Sequence, residues 1–174
     1  SWGQRNVQGK GYARYLPNVK TNRQAFFIQE KLSFNPIYFD VGYRKEKVEH
    51  QIQDQTFVLA RNANNRKLEN RDFDLTQFYV GAGLNWGEHV HIYAKYSESE
   101  RAPEINELYS SNPHYSVMTQ EEGNQNLEKE KVKAMELNTD FAFDQSRIQL
   151  SLYQMDFTNY VYLMYSGMAM GNRL

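Results

Sequence analysis

The chain has 174 residues, a formal net charge of −1, 13 tyrosines, 10 phenylalanines and no cysteine. That length suits one domain, and the balanced charge argues against a general nucleic-acid partner. The lack of cysteine excludes disulfides and thiolate metal sites; no run approaches the ~18 apolar residues of a transmembrane helix, and the opening Ser-Trp-Gly-Gln-Arg has no signal-peptide pattern.

In chain order, the clearest signal is period two. The segment "YLPNVKTNRQAFF" leads into a first strand with Phe26, Ile28, Leu32 and Phe34 on one face and Phe27, Gln29, Lys31 and Ser33 on the other. Ile37, Phe39, Val41 and Tyr43 then alternate with Tyr38, Asp40, Gly42 and Arg44. A third strand sets Phe78, Val80, Ala82, Leu84 and Trp86 against Gln77, Tyr79, Gly81, Gly83 and Asn85. Val90, Ile92, Ala94 and Tyr96 oppose His89, His91, Tyr93 and Lys95 in the fourth. Met135, Leu137, Phe141 and Phe143 oppose Ala134, Glu136, Asn138 and Asp140, and Ile148, Leu150 and Leu152 oppose Arg147, Gln149 and Ser151. No stretch shows a convincing helical period. "LEKEKVKAMEL" has helix-forming composition, yet its downstream end fits a strand better.

The joins alternate in length. Asn35-Pro36, Gly87-Glu88 and Asp144-Gln145-Ser146 read as tight hairpin turns. About 25 residues separate Gln51 from Leu75, and more than 30 lie between Ser97 and Lys131; connections of such length are usually functional. Two architectures fit. A soluble all-β binding module would turn its apolar faces inward, whereas an outer-membrane barrel turns them toward lipid and has short periplasmic turns and long extracellular loops. Aromatic residues near strand ends, among them Phe34, Tyr43, Trp86 and Phe143, suit the interfacial girdles of the barrel. Closure in lipid needs eight strands or more, so six strands imply part of a larger barrel. The final "YVYLMYSGMAMGNRL" reads as a further loop rather than a finishing strand.

One long excursion carries a specific resemblance. "SERAPEINELYSSNPHYSVMTQEEGNQNLEKEKVKAMELN", residues 97–138, contains Arg101-Ala102-Pro103, Glu107-Leu108-Tyr109, Pro113-His114, and Glu122-Gly123-Asn124 followed by Leu127 and Glu130. In order and spacing these elements resemble a signature of TonB-dependent outer-membrane receptors, and "LYQMDFTNYVYL" resembles the strand that follows it. The resemblance implies an all-β, antiparallel up-and-down transmembrane barrel, of which residues 1–174 are a portion, in the bacterial outer membrane. The family also carries a plug domain and a TonB-contact segment, and neither is recognised in this sequence.

The resemblance further implies a receptor, not an enzyme, that takes up a metal or metal complex. Its partners would be outer-membrane lipid, the TonB complex through a plug, and the cargo itself. Haem receptors place an iron-binding histidine between these elements. ZnuD-like zinc-uptake receptors have Tyr109, His114, Thr119, Glu122, Gly123 and Asn124 in matching order, so zinc is the first expectation, haem the second and ferric siderophore the third. No intrinsic cofactor is expected. The expected ligand-binding residues are His114, Tyr109, Tyr115 and Glu122, and the expected metal-binding residues are His114, His50 and Glu121. From residue chemistry alone, a neutral imidazole is a good ligand for zinc or haem iron, and zinc would draw further His or carboxylate groups. The other reading of His114 is a hydrogen bond to the loop backbone after Pro113. His89 and His91, two apart on one strand, read as polar lumen or turn residues, and Lys67–Asp74 as loop surface. Gly81 and Gly83 are not a nucleotide loop, because no helix follows.

Overall fold

A computed structural model describes residues 1–9, 14–54, 57, 67–111, 113–114 and 119–165, with the backbone alone at 113–114 and 119–120. The main sheet runs β1 (Trp2–Val7), β2 (Val19–Phe34), β3 (Ile37–Ile52), β4 (Arg71–Trp86), β5 (Val90–Arg101), β8 (Glu130–Phe143) and β9 (Ser146–Thr158). Its seven strands are ordered as in the chain and are antiparallel throughout. Between β5 and β8 lie a one-turn helix α1 (Ile105–Tyr109) and a small hairpin of β6 (Pro113–His114) with β7 (Thr119–Gln120). No described helix is long and apolar enough to cross a membrane.

Turn chemistry closes the short ends. Asn35-Pro36 joins β2 to β3, and its peptide bond is cis. Gly87 adopts φ 63°, a region open to glycine without a Cβ penalty. Asp144 sits at φ 42°, tolerated by a short polar side chain. Two sequence readings change here. The β4–β5 turn takes in His89 as well as Gly87 and Glu88, so His89 lies in the turn and only His91 lies within β5. The His89 carbonyl accepts the Ala142 amide at 2.8 Å, one step beyond the Val90–Phe141 pair of the β5–β8 ladder. The last turn is only Asp144-Gln145, and Ser146 already pairs with Phe143.

The register places every apolar series on one face. Val41 pairs with Val80, Val80 with Tyr96, Leu84 with Ile92, Ala94 with Leu137, and Leu137 with Leu152. Among the described residues nothing covers this face: Val41, Val80 and Leu150 are 48%, 47% and 52% exposed. A soluble module with these residues in its core is thereby corrected; the apolar side is the lipid side of a barrel wall. Glu30, opposite Val41, is the one acid set among the apolar residues of β2 on this face.

The opposite face is the lumen wall, and glycine shapes it. Tyr38 covers Gly83, Tyr79 covers Gly42 and Tyr93 covers Gly81; a Cβ at these glycines would meet the Tyr38 ring at 2.0 Å, the Tyr79 ring at 2.1 Å and the Tyr93 hydroxyl at 2.3 Å. The Tyr38 ring stacks with those of His91 and Tyr93, each 6.0 Å away, and the Tyr93 hydroxyl donates to both Asp40 oxygens at 3.0 and 3.1 Å. Aromatic side chains thus cover the bare backbone that glycine leaves in a strand.

β2, β3 and β4 have 16 residues each. About 9–11 tilted residues span a bilayer, so several residues per strand stand clear of it. There the faces exchange character. Outward come Lys45, Lys47 and Glu49 on β3 and Asp72 and Asp74 on β4; inward come Val48 and Ile52, Phe73 and Leu75. Loop and helix residues pack onto these inner side chains, and the core of the described structure is formed by Val19, Val48, Ile52, Phe57, Leu68, Phe73, Leu75, Ala102, Ile105, Leu108 and Tyr109. The core therefore lies inside the mouth of the wall, at the end that carries the long connections.

Candidate functional site

The excursion from β5 to β8 is a folded unit. α1 opens with a capping box: the Glu104 side chain takes the Glu107 amide, and the Glu107 carboxylate takes the Glu104 amide at 2.7 Å. Ile105, Leu108 and Tyr109 form its buried side. Leu108 and Tyr109 are fully enclosed, and the Tyr109 hydroxyl donates to the Glu69 carbonyl at 2.9 Å. Burial raises the Tyr109 pKa well above its ordinary value.

The returning segment of the excursion locks against the helix end. The Gly123 amide donates to the Ser110 carbonyl and the Asn124 amide to the Glu107 carbonyl, each at 2.8 Å. A Cβ at Gly123 would stand 2.6 Å from the Leu108 carbonyl carbon and the Tyr109 nitrogen, so glycine is required for this approach. The Arg71 guanidinium donates to the Leu127 carbonyl at 2.9 Å, and the Glu69 amide donates to the Gln125 side chain at 2.8 Å, tying the unit to β4. Arg101, the last residue of β5, reaches Glu107 at 2.9 Å and Glu130, the first of β8, at 3.4 Å. These contacts hold the Arg101 pKa above its usual value, with the Glu107 hydrogen bond the largest cause. Burial pulls the Glu130 carboxyl up, yet the Val161 amide and Arg101 outweigh it and keep the carboxyl below the ordinary range.

The expected site residues divide three ways. His50 is buried in the core, with Nδ1 2.8 Å from the Thr21 hydroxyl and its ring edge-on to Phe73. Its Nε2 has no partner of hydrogen-bonding geometry among the described residues, and the Pro103 backbone acts to raise the pKa of the ring. Burial is the larger influence and lowers the His50 pKa. Tyr109, as above, is enclosed on the buried side of α1. Glu122 is exposed and Glu121 half-buried on the returning side, next to Gly123. The backbone of His114 pairs with Thr119 in the β6–β7 hairpin; Tyr115 lies outside the described residues. The structure thus brings Tyr109 and His50 into one core. Among the described residues no three His, Asp or Glu side chains are grouped so as to hold a metal ion.

Sequence reasoning missed the roles of Arg101, Glu107 and Glu130. All three stand in the quoted motif elements, but their mutual contact joins residues 6 and 29 positions apart, which no local pattern announces.

Comparison with known proteins adds identity to this geometry. The family model described as TonB dependent receptor-like, beta-barrel matches residues 2–173. The TonB-dependent heme receptor A of Haemophilus influenzae is 22% identical over 99 residues, which are 56% of this chain and 13% of that protein. Hemoglobin-haptoglobin utilization protein B of Neisseria meningitidis serogroup C is 31% identical over 97 residues, 55% of this chain and 12% of the relative. A probable hemoglobin and hemoglobin-haptoglobin-binding protein 1 of H. influenzae is 25% identical over 130 residues, 74% of this chain and 11% of the relative. The chain therefore spans a small fraction of the length of the curated relatives it matches.

Proposed function

We infer that this chain, which belongs to the TonB dependent receptor-like β-barrel family and lies in the bacterial outer membrane, forms part of the wall and the capturing mouth of a receptor for haem or a haem-carrying protein. The single observation behind haem is that all three relatives above carry haem or haemoglobin in their names. That reverses the order in which the motif alone ranks zinc and haem.

The chemistry of the donor set supports the same order. Structural zinc sites take four protein ligands and catalytic ones three. Haem iron needs one axial group, and its macrocycle binds through apolar and aromatic contacts. A single histidine at the end of a folded excursion fits the second demand better. In this reading His114 is the axial ligand, and Tyr115 and Glu122 are contacts beside it. The packed base with Tyr109 and His50 supports the excursion from below. Captured cargo passes through the lumen, and an inner-membrane TonB complex supplies the work through a plug. The chemistry is binding and transport.

The test uses the intact receptor, wild type and His114→Ala, titrated separately with haem and with zinc. Haem binding with a histidine-ligated absorption spectrum, lost in the variant, is the expected result. Haem binding with an unchanged spectrum in His114→Ala would remove His114 from the site. Saturable zinc binding that depends on His114, with none for haem, would restore the zinc reading.

A further inference from the structure

On the lumen wall near the short turns, three rings share one orientation. Tyr38 is nearly parallel to both His91 and Tyr93, at interplanar angles of 9° and 10° and centroid separations of 6.0 Å. β3 and β5, which carry these rings, have a strand hydrogen-bonded on each side, so the open side is the lumen and not a sheet edge. His91 is exposed, and Tyr38 and Tyr93 are half-buried. The imidazole is held from two directions: Nδ1 donates to the Asn85 side-chain carbonyl, and Nε2 lies 3.4 Å from the Tyr38 hydroxyl. Lys31 stands over the cluster, its ammonium 4.1 Å from the centre of the Tyr38 ring. Asp40 is the register partner of Lys31, yet both of its oxygens accept the Tyr93 hydroxyl. Among the described residues Lys31 has no ion pair; its contact is the Tyr38 ring. Asp140, opposite His91 on β8, is bridged to Arg147.

Glycine cover accounts for Tyr38 and Tyr93, over Gly83 and Gly81, but not for His91 or Lys31. An unpaired cation above like-oriented rings complements a flat aromatic ligand that carries carboxylates: the rings meet its plane and the ammonium meets an acid group. With Nε2 turned to the Tyr38 hydroxyl, the contact is by ring face and charge, not by iron ligation. We propose that Tyr38, His91, Tyr93 and Lys31 form a second cargo site, at the short-turn end of the lumen, for a planar aromatic carboxylate of the porphyrin class. That the cargo is haem rests on the function inferred above, whereas the fit to a flat, carboxylate-bearing ring does not.

The test uses the full-length receptor in detergent. Ser33→Cys sets a thiol on the lumen face at the register partner of Tyr38, and its alkylation by a maleimide is timed alone, with haem and with metal-free mesoporphyrin. At about ten times the dissociation constant, each porphyrin slows alkylation about tenfold. Adding Lys31→Glu or Tyr38→Leu abolishes that protection, while the heat-resistant migration of a folded barrel is retained. Lys31 is exposed, so its variant decides the matter even if Tyr38→Leu does not fold. Equal alkylation with and without both porphyrins overturns the proposal, as does protection that persists in Lys31→Glu. A thiol that is unreactive with no porphyrin present overturns it too, because another part of the receptor, such as the plug, then covers this wall. Protection by haem but not by mesoporphyrin would make the contact a ligation and also overturn it. Should both porphyrins protect the thiol while haem shows no histidine-ligated spectrum, the site stands and only the His114 reading falls.

Discussion

Gly123→Ala tests the idea that the motif's glycine exists for close approach. The added Cβ would stand 2.6 Å from backbone atoms of Leu108 and Tyr109, and ordinary contact begins at 3.4 Å. The two segments must therefore part by about 0.8 Å. No side chain can rotate out of the way, since the obstacle is the main chain at the end of α1. The flanking hydrogen bonds, both 2.8 Å, would stretch beyond good geometry. Overpacking costs roughly 1–3 kcal/mol and each weakened backbone bond about 0.5–1.5 kcal/mol. With both bonds weakened, a local loss of about 2–6 kcal/mol follows, and at 1.4 kcal/mol per decade the excursion opens at least roughly thirty times more often, and up to about ten thousand times. Amide hydrogen exchange on the intact receptor measures this directly. Protection should fall by that factor across residues 105–111 and 123–127 and stay unchanged in β3 and β4. Exchange at residues 105–111 within threefold of wild type would refute the packing argument.

Val80→Arg, at the middle of the lipid face, should cost about 2–4 kcal/mol and lower the yield of folded receptor in lipid vesicles, whereas Ser33→Arg on the lumen face should fold normally. Gly83→Val should displace the Tyr38 ring from His91 and Tyr93 and lower the thermal midpoint in detergent, at a cost of about 1–3 kcal/mol; an unchanged midpoint would show that the ring adjusts freely. The His50 pKa is lowered in the fold by burial, so the unfolded or opened segment takes up the proton first, and stability rises with pH. Protection of α1 should be full above the ordinary histidine value of about 6.5 and decline as pH falls from there toward the lower folded value. Thr21, Arg23, Arg71 and Glu104 surround the ring; a His50→Gln variant should lose the pH dependence between 7.5 and 5.5, and a variant that keeps it would assign the effect to another group.

The lower half of the wall was legible because each strand there alternates between hydrocarbon and a hydrated lumen. Ile37, Phe39, Val41 and Tyr43 announce that face without any knowledge of partners. The upper half was not. In β3 the apolar series moves from odd positions to Val48, His50 and Ile52, and in β4 it moves from Phe73 and Leu75 to Phe78 and Val80. In sequence this phase change reads as the end of a strand. In space the strand continues, and water simply replaces lipid outside while the folded excursion replaces lumen inside. The short helix was hidden for a related reason: five residues are too few to show a period, and its cap, Glu104 with Glu107, lies inside a stretch without apolar rhythm.

The motif likewise told where the candidate site is but not how it is held. Residue types and their order set the alternation, the turn positions and the glycine, since these depend on neighbours in the chain and on the solvent each face meets. Which carboxylates Arg101 would bridge, that Tyr109 would be enclosed rather than open to a ligand, and that His50 would be desolvated beside Phe73 were decided only by tertiary structure. Those facts depend on contacts between segments many residues apart, whose energies arise only when the chain has already brought them together.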